Sequence, residues 1–228
     1  MAQSQGFSPR PKVSWSGAVP TGVASEAEYV ELQLVEQVVP EVLHAEIDAV
    51  LPSGFDVLEV VEASPGALAD RLEASRWLME VRGIGADELR DAVGRLLAAE
   101  SVEVERMTKD GRRSLDARAA LVSAKAHASP ETITFSGHSA SSIAHVDDWP
   151  KGSEPYGILE TVVRQTTPVV RPDDVLSALR VVADLAPSVV GKATRLEQGR
   201  LDDAGGLTDP FVLDRAAAGA RRGEPAVG

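Results

Sequence analysis

Not one of the 228 residues is cysteine, and this bounds the fold before any motif is read. No disulfide and no thiolate zinc site can staple a small core, so the chain must hold itself together by burying apolar surface. The same absence removes a thiolate nucleophile and a Cys-ligated iron–sulfur cluster from the chemistry this chain could perform alone. Apolar residues make up 43% of the chain and charged residues 25%, the mix of an ordinary globular protein. The length suits one large domain or two small ones. Aromatics contribute only 4%, so Val, Leu and Ala must fill the core, with few large side chains to anchor it.

Periodicity supplies the elements. Val13 and Trp15 alternate with polar neighbours, and Val30, Leu32 and Leu34 alternate with Glu31 and Gln33, so the run 12–35 reads as two strands. Gly17, Pro20 and Gly22 break the pattern between them. Pro40 suits a first helical position, Glu41 complements the helix dipole, and Leu43, Ile47, Val50 and Leu51 form one stripe. A strand is expected over 55–62. Strand, strand, helix, strand over residues 1–63 looks like a ferredoxin-like βαββαβ unit without its first strand and helix. That first strand is central in such a sheet, and its loss leaves inner backbone groups and apolar faces without partners.

Residues 64–201 read as a second unit. A short apolar helix around Leu68 to Leu72 precedes a strand through Trp77, Met79 and Val81. Asp87 is placed to cap a helix with Leu89, Val93, Leu96 and Leu97 on one face, and Gly94 sits inside it. Residues 102–107 and 113–123 predict a hairpin around Lys109-Asp110-Gly111, a strong turn signal. A strand over 156–166, a helix opened by Arg171-Pro172-Asp173-Asp174 and ended by Pro187, and a short strand over 193–197 complete the unit. Residues 126–155, rich in Ser, His, Gly and Pro, predict a surface insertion. From 202 to 228, weak hydrophobic periodicity predicts a disordered tail. The expected class is α+β: two ferredoxin-like units in tandem, the first incomplete.

Candidate chemistry is sparse. His138 and His145, with Asp147 and Asp148, carry metal-ligand chemistry, but a Ser/Gly-rich loop does not orient ligands, and no metal site is expected. His44 flanks its helix stripe as a structural residue. Asp202-Asp203 and the other carboxylates show no legible pairing, and Ser14, Ser16 and Ser25 lie in no nucleophile motif. Glycine-rich phosphate loops are missing too. No catalytic constellation is legible. A leader pattern and a membrane-length apolar run are likewise missing, so the expected location is cytoplasmic, away from membranes. Net charge is −12, which repels nucleic acid at long range, yet a basic patch can override that field within a Debye length of roughly 8 Å. Arg106, Lys109, Arg112, Arg113 and Arg118 concentrate positive charge around the hairpin, and Arg10, Lys12 and Trp15 form a second stretch. Guanidinium groups fork onto phosphates and stack on bases, so these eight are the candidate binding residues. Glu105, Asp110 and Asp116 oppose the hairpin charge.

Several runs carry a resemblance. Ser4-Gln5-Gly6-Phe7-Ser8-Pro9-Arg10-Pro11-Lys12-Val13-Ser14-Trp15 is continued by Gly22-Val23-Ala24-Ser25-Glu26-Ala27-Glu28-Tyr29. Further runs are Leu68-Ala69-Asp70-Arg71-Leu72, Arg106-Met107-Thr108-Lys109-Asp110-Gly111-Arg112-Arg113 and Arg164-Gln165-Thr166-Thr167-Pro168. Together they resemble the radical-SAM-linked protein family, a bacterial domain of unknown function, from Ser4 to about Gly199 without the insertion. The resemblance implies a small α+β protein encoded beside, or fused to, a radical SAM enzyme, in some genomes near a ribonuclease. It brings no catalytic residues with it. Relatives carry about forty further residues before Gly-Phe-Ser-Pro, the length of one strand and one helix. Arg10 stands where His is common, and the insertion is longer here. The expectation is a natural start upstream, or a poorly ordered first unit. The function expected is a non-catalytic accessory or substrate-binding module, without a cofactor of its own, for a separate radical SAM iron–sulfur protein. The alternative is an RNA-binding protein linked to RNA processing or modification.

Overall fold

The computed structural model describes residues 1–3, 12–109, 111–135, 138–140, 143, 154–185, 187 and 191–223. In chain order come strands β1 (Val13–Ser16), β2 (Ala24–Ser25) and β3 (Tyr29–Leu32), helix α1 (Pro40–Asp48), strand β4 (Ala74–Arg82) and helix α2 (Ala86–Ala98). Strands β5 (Glu103–Thr108) and β6 (Gly111–Asp116), the helical turn α3 (Ala117–Ala120), β7 (Leu121–His127), β8 (Thr134–Phe135) and β9 (His138–Ser139) follow. Strand β10 (Tyr156–Arg164), helix α4 (Pro172–Ala183), strands β11 (Ala193–Leu201) and β12 (Leu207–Thr208), and helix α5 (Val212–Gly223) complete it. The chain is α+β. It divides into two units: residues 1–18, 28–71 and 209 onward, and residues 19–27 with 72–208.

In the second unit β4 is central because both of its faces are apolar enough to bury. Trp77, Met79 and Val81 point to one face, and Leu78 and Glu80 to the other, all of them buried. The sheet runs β12-β11-β4-β10-β7, with β10 and β11 both antiparallel to β4 and β2 parallel to β11. Helices α2 and α4 cover one face. Leu89, Ala92, Val93 and Leu96 of α2, with Val175, Ala178 and Leu179 of α4, pack onto Met79, Leu159, Val163 and Ala124. On the other face Leu78, Ile158 and Leu196 meet Ile133, Ala140 and Ile143 in a smaller cluster. Gly199 is required where β12 crosses β11, since a Cβ there would lie 2.1 Å from the Thr208 carbonyl oxygen.

The first unit is built differently. Strands β1 and β3 pair antiparallel with each other, Trp15 opposite Val30, and α1 starts on Pro40 but buries no residue. The two large apolar clusters both lie in the second unit.

Several expectations are corrected. No strand forms over 55–62; residues 55–64 run without turn, bend or ladder partner, because nothing among the described residues offers them a neighbouring edge. Asp87 does not cap α2: Gly85 is its N-cap, and Asp87 lies in the first turn, paired with Arg90. The expected strand over 113–123 is broken at Asp116, whose carboxylate accepts the Arg118 and Ala119 amides and starts α3. Strand β11 is nine residues long rather than a short strand over 193–197. The tail is not wholly disordered. It carries β12 and α5, the latter rich in Ala and Arg, strong helix formers that leave little hydrophobic period to read. The insertion contributes Ile133, Ala140 and Ile143 to the second cluster; residues 136–137, 141–142 and 144–153 lie outside the described residues.

Gly94 is exposed on α2, and a Cβ there would meet nothing within 4 Å. Replacing Gly94 with Ala is expected to raise the stability of the second unit by about 0.5–1 kcal/mol in urea unfolding, through the lower backbone entropy of the unfolded chain.

Candidate functional site

The hairpin β5–β6 forms its own two-stranded sheet, with Thr108 paired to Gly111 across the turn. Its base is fixed by burial of Val104 and Leu115 and by Arg106. The Arg106 guanidinium donates to the Asp174 carboxylate at 2.7 Å and to the Val169 carbonyl at 3.1 Å. The same Asp174 carboxylate accepts the Arg171 amide at 2.8 Å, so one carboxylate joins the hairpin to the start of α4. Arg118 is spent internally too, donating to the carbonyls of Leu121 and Leu97. Directly paired residues share a face of a two-stranded sheet. Arg112 therefore lies beside Met107, with Glu105 bonded to it at 3.3 Å, while Arg113 lies on the opposite face beside Arg106. The five cations do not make one patch. Lys109 at the turn, Arg112 and Arg113 are exposed, and Met107 is 71% exposed.

Of the second predicted stretch, Arg10 lies outside the described residues. Lys12 is exposed just before β1, and Trp15 is 56% exposed. Trp15 belongs to an apolar surface rather than a cationic one. The β1–β3 register puts Val13, Trp15, Val30 and Leu32 on one face, and of these Val13, Trp15 and Val30 are exposed. That surface was missed as a site because its alternation reads equally well as a strand half-buried in a complete sheet.

A groove of about 910 Å³ opens in the same unit, lined by the start of α1 with His44, by residues 58–62, and by Arg215, Ala218 and Gly219 of α5. Its α5 wall is held by a buried ion pair. Arg71 donates to the Asp214 carboxylate at 2.6 Å and to the Pro210 carbonyl at 3.0 Å, and the Ser64 amide donates to Asp214 at 2.7 Å. Burial pushes the Asp214 carboxyl upward. The Ser64 amide and the Arg71 guanidinium outweigh this and hold it below the usual carboxylate range. Arg215 bridges Glu59 at 2.6 Å and Asp209, and Phe211 meets Tyr29 edge-on at 5.3 Å. The helix that sequence reading missed thus forms a wall of this unit's groove.

A third cluster crosses the second unit's sheet. Glu160 on β10 bonds His127 on β7 at 2.8 Å and lies 3.6 Å from Arg76 on β4, which reaches Glu197 on β11 at 3.0 Å. These side chains tie four strands together on the face away from α2 and α4, and they face no groove that would admit a substrate. Among the described residues no group of His, Asp or Glu is placed to hold a metal ion, and no helix is long and apolar enough to cross a membrane. Of the His and Asp considered as ligands, His145, Asp147 and Asp148 lie outside the described residues, and His138 is described only as backbone in β9.

The fold and these surfaces define an α+β protein with two distinct exposed faces, one apolar and one carrying the hairpin cations. A family model described as an uncharacterized protein conserved in bacteria (DUF2344) matches residues 1–172, and the chain belongs to that family. The match stops at Pro172, the first residue of α4, so α4, β11 and α5 come almost wholly after it. No curated protein and no solved structure matches the chain.

Two outcomes follow from the ion pairs. Replacing Arg106 with Ala strands the nearly buried Asp174 carboxylate and is expected to cost about 3 kcal/mol in chemical unfolding; Arg113→Ala, exposed, should stay within about 0.5 kcal/mol of the parent. Because the Asp214 carboxyl is lowered by folding, the folded state holds fewer protons on it than the unfolded state near pH 4. Its stabilisation is therefore complete above the ordinary carboxylate value of about 4 and is lost as pH falls through the lower folded value. Acid unfolding followed by circular dichroism should show that loss in the parent, and Asp214→Asn should flatten it while lowering stability at neutral pH.

Proposed function

We propose that the chain is a non-catalytic accessory module that binds a partner protein, and that the partner is a radical SAM enzyme, as the family resemblance implies. The observation that carries this reading is the open apolar face of β1 and β3. Contiguous exposed apolar surface on a folded unit is characteristic of protein contact, and Trp in its centre is the residue type most often found as an energetic anchor. The partner would supply the thiolate-bound cluster that a cysteine-free chain cannot hold, and both would act in the cytoplasm. The four long strands of the second unit, in the order β11-β4-β10-β7 with a helix after β4 and after β10, support reading that unit as ferredoxin-like. The first unit, with its two paired strands and one helix, is then the incomplete member of a tandem.

A second reading has its own support. The exposed Lys109, Arg112 and Arg113 at the end of a firmly based hairpin favour contact with an RNA backbone. The division of these cations between two faces weakens the phosphate-driven term.

Co-expression with a radical SAM protein from the same genome, followed by size-exclusion chromatography with iron analysis, tests the first reading. A comigrating iron-bearing complex is expected, lost on Trp15→Glu. Absence of any complex, together with RNA affinity that falls steeply with salt and is lost on Lys109→Ala with Arg113→Ala, would replace it with the second.

A further inference from the structure

The backbone of residues 57–62 is unusual for so apolar a run. Its sequence, Val-Leu-Glu-Val-Val-Glu, has the β-branched content of a strand, and it crosses the unit without turn or bend. Val57 donates its amide to the Asp48 carboxylate at 2.9 Å. Beyond that, no backbone hydrogen bond joins Leu58, Val60 or Val61 to any other residue of the chain. Unpaired backbone in such a run is a template for another strand, and natural edges guard against it with Pro, Lys or a bulge. This run has none of those guards, and Leu58 is 80% exposed.

We propose that residues 57–62 are a strand-addition site that takes one extended segment of a partner protein, alternating basic and apolar residues. This rests on reading the chain as a protein-binding module, and it names the kind of segment bound. A row of open amides and carbonyls along a straight run calls for a main chain in extended form, since a helix already satisfies its own backbone. The adjoining groove between α1 and α5 gives alternate side chains of the segment a place to enter, with Val39 and Val60 among its apolar lining. The charge of the lining chooses the segment. Glu41, Glu59 and Glu62 stand against Arg215 alone, so Lys or Arg at alternate positions complements the site and acidic residues oppose it.

The probe is a ten-residue synthetic peptide alternating valine with lysine, with its valine–glutamate counterpart as control, added to the full chain. Hydrogen exchange is followed at the amides of Leu58, Val60 and Val61. Without peptide these amides should exchange freely; with saturating lysine peptide their exchange should slow at least tenfold. Val60→Pro should abolish the effect, Val60→Thr should keep it, and a lysine peptide methylated on its backbone nitrogens should fail against the unaltered protein. The idea is overturned by slow exchange in the protein alone, which would mean that these amides already have partners. No slowing with the lysine peptide, or equal action of the glutamate or methylated peptide, overturns it too. An iron-bearing complex that forms while the peptide does nothing would sink the strand site and leave the accessory reading standing. Peptide protection without such a complex would do the reverse.

Discussion

The pairing of β4 with β10 on one side and β11 on the other is the constraint on which the second unit depends. Once these three strands are in register, Met79 and Leu159 are set on the face that α2 and α4 cover, and Leu78 and Ile158 on the face closed by Ile133, Ala140 and Ile143. A slip of one residue would turn every one of these side chains to the wrong face. The same register brings Arg76 between Glu160 and Glu197. Those bonds therefore follow from the sheet and do not need to drive it, as expected of charges whose desolvation offsets much of their attraction.

The first unit has no comparable source of apolar burial. Its segments meet through Arg71 and Asp214, through Arg215 and Glu59, and through one aromatic contact. Buried ion pairs fix geometry more surely than they add net stability. A unit held this way is specific in arrangement but leaves apolar side chains such as Trp15 and Leu58 in solvent. The two halves of the chain thus divide the work physically: one holds its own core, and the other displays surface.

Legibility in the sequence followed the same division. Where burial is two-sided, as in β4, or falls on a wide helical stripe, as in α2 and α4, the residue pattern alone located the element, and the strands of the second unit were placed in order. Capping was less legible: Asp87 suited an N-cap by type, yet Gly85 took that position. Helix α5 was missed because its alanines carry propensity without hydrophobic contrast, and the residue that seats it, Asp214, pairs with Arg71 far away in sequence. Among the candidate binding residues, charge type was visible but charge use was not. Arg106 and Arg118 look identical to Arg113 in sequence, and only their distant acceptors, Asp174, Val169 and Leu97, show that the first two are structural. The run 57–62 was recognised as strand-like from its composition; its lack of a ladder partner is a tertiary fact that composition does not carry.

That last discrepancy bears on which surface matters more. A cationic contact on this chain works against the field of a net charge of −12, and its reach is about one Debye length. The hairpin shortens that reach further by placing Arg112 and Arg113 on opposite faces, with Glu105 beside the first. The apolar face of β1 and β3 and the unpaired run 57–62 face no such opposition, because burial and main-chain pairing depend little on long-range charge. The net acidity instead favours any approaching segment that is basic. Electrostatics and apolar exposure therefore agree on a protein partner, whereas for RNA they pull in opposite directions.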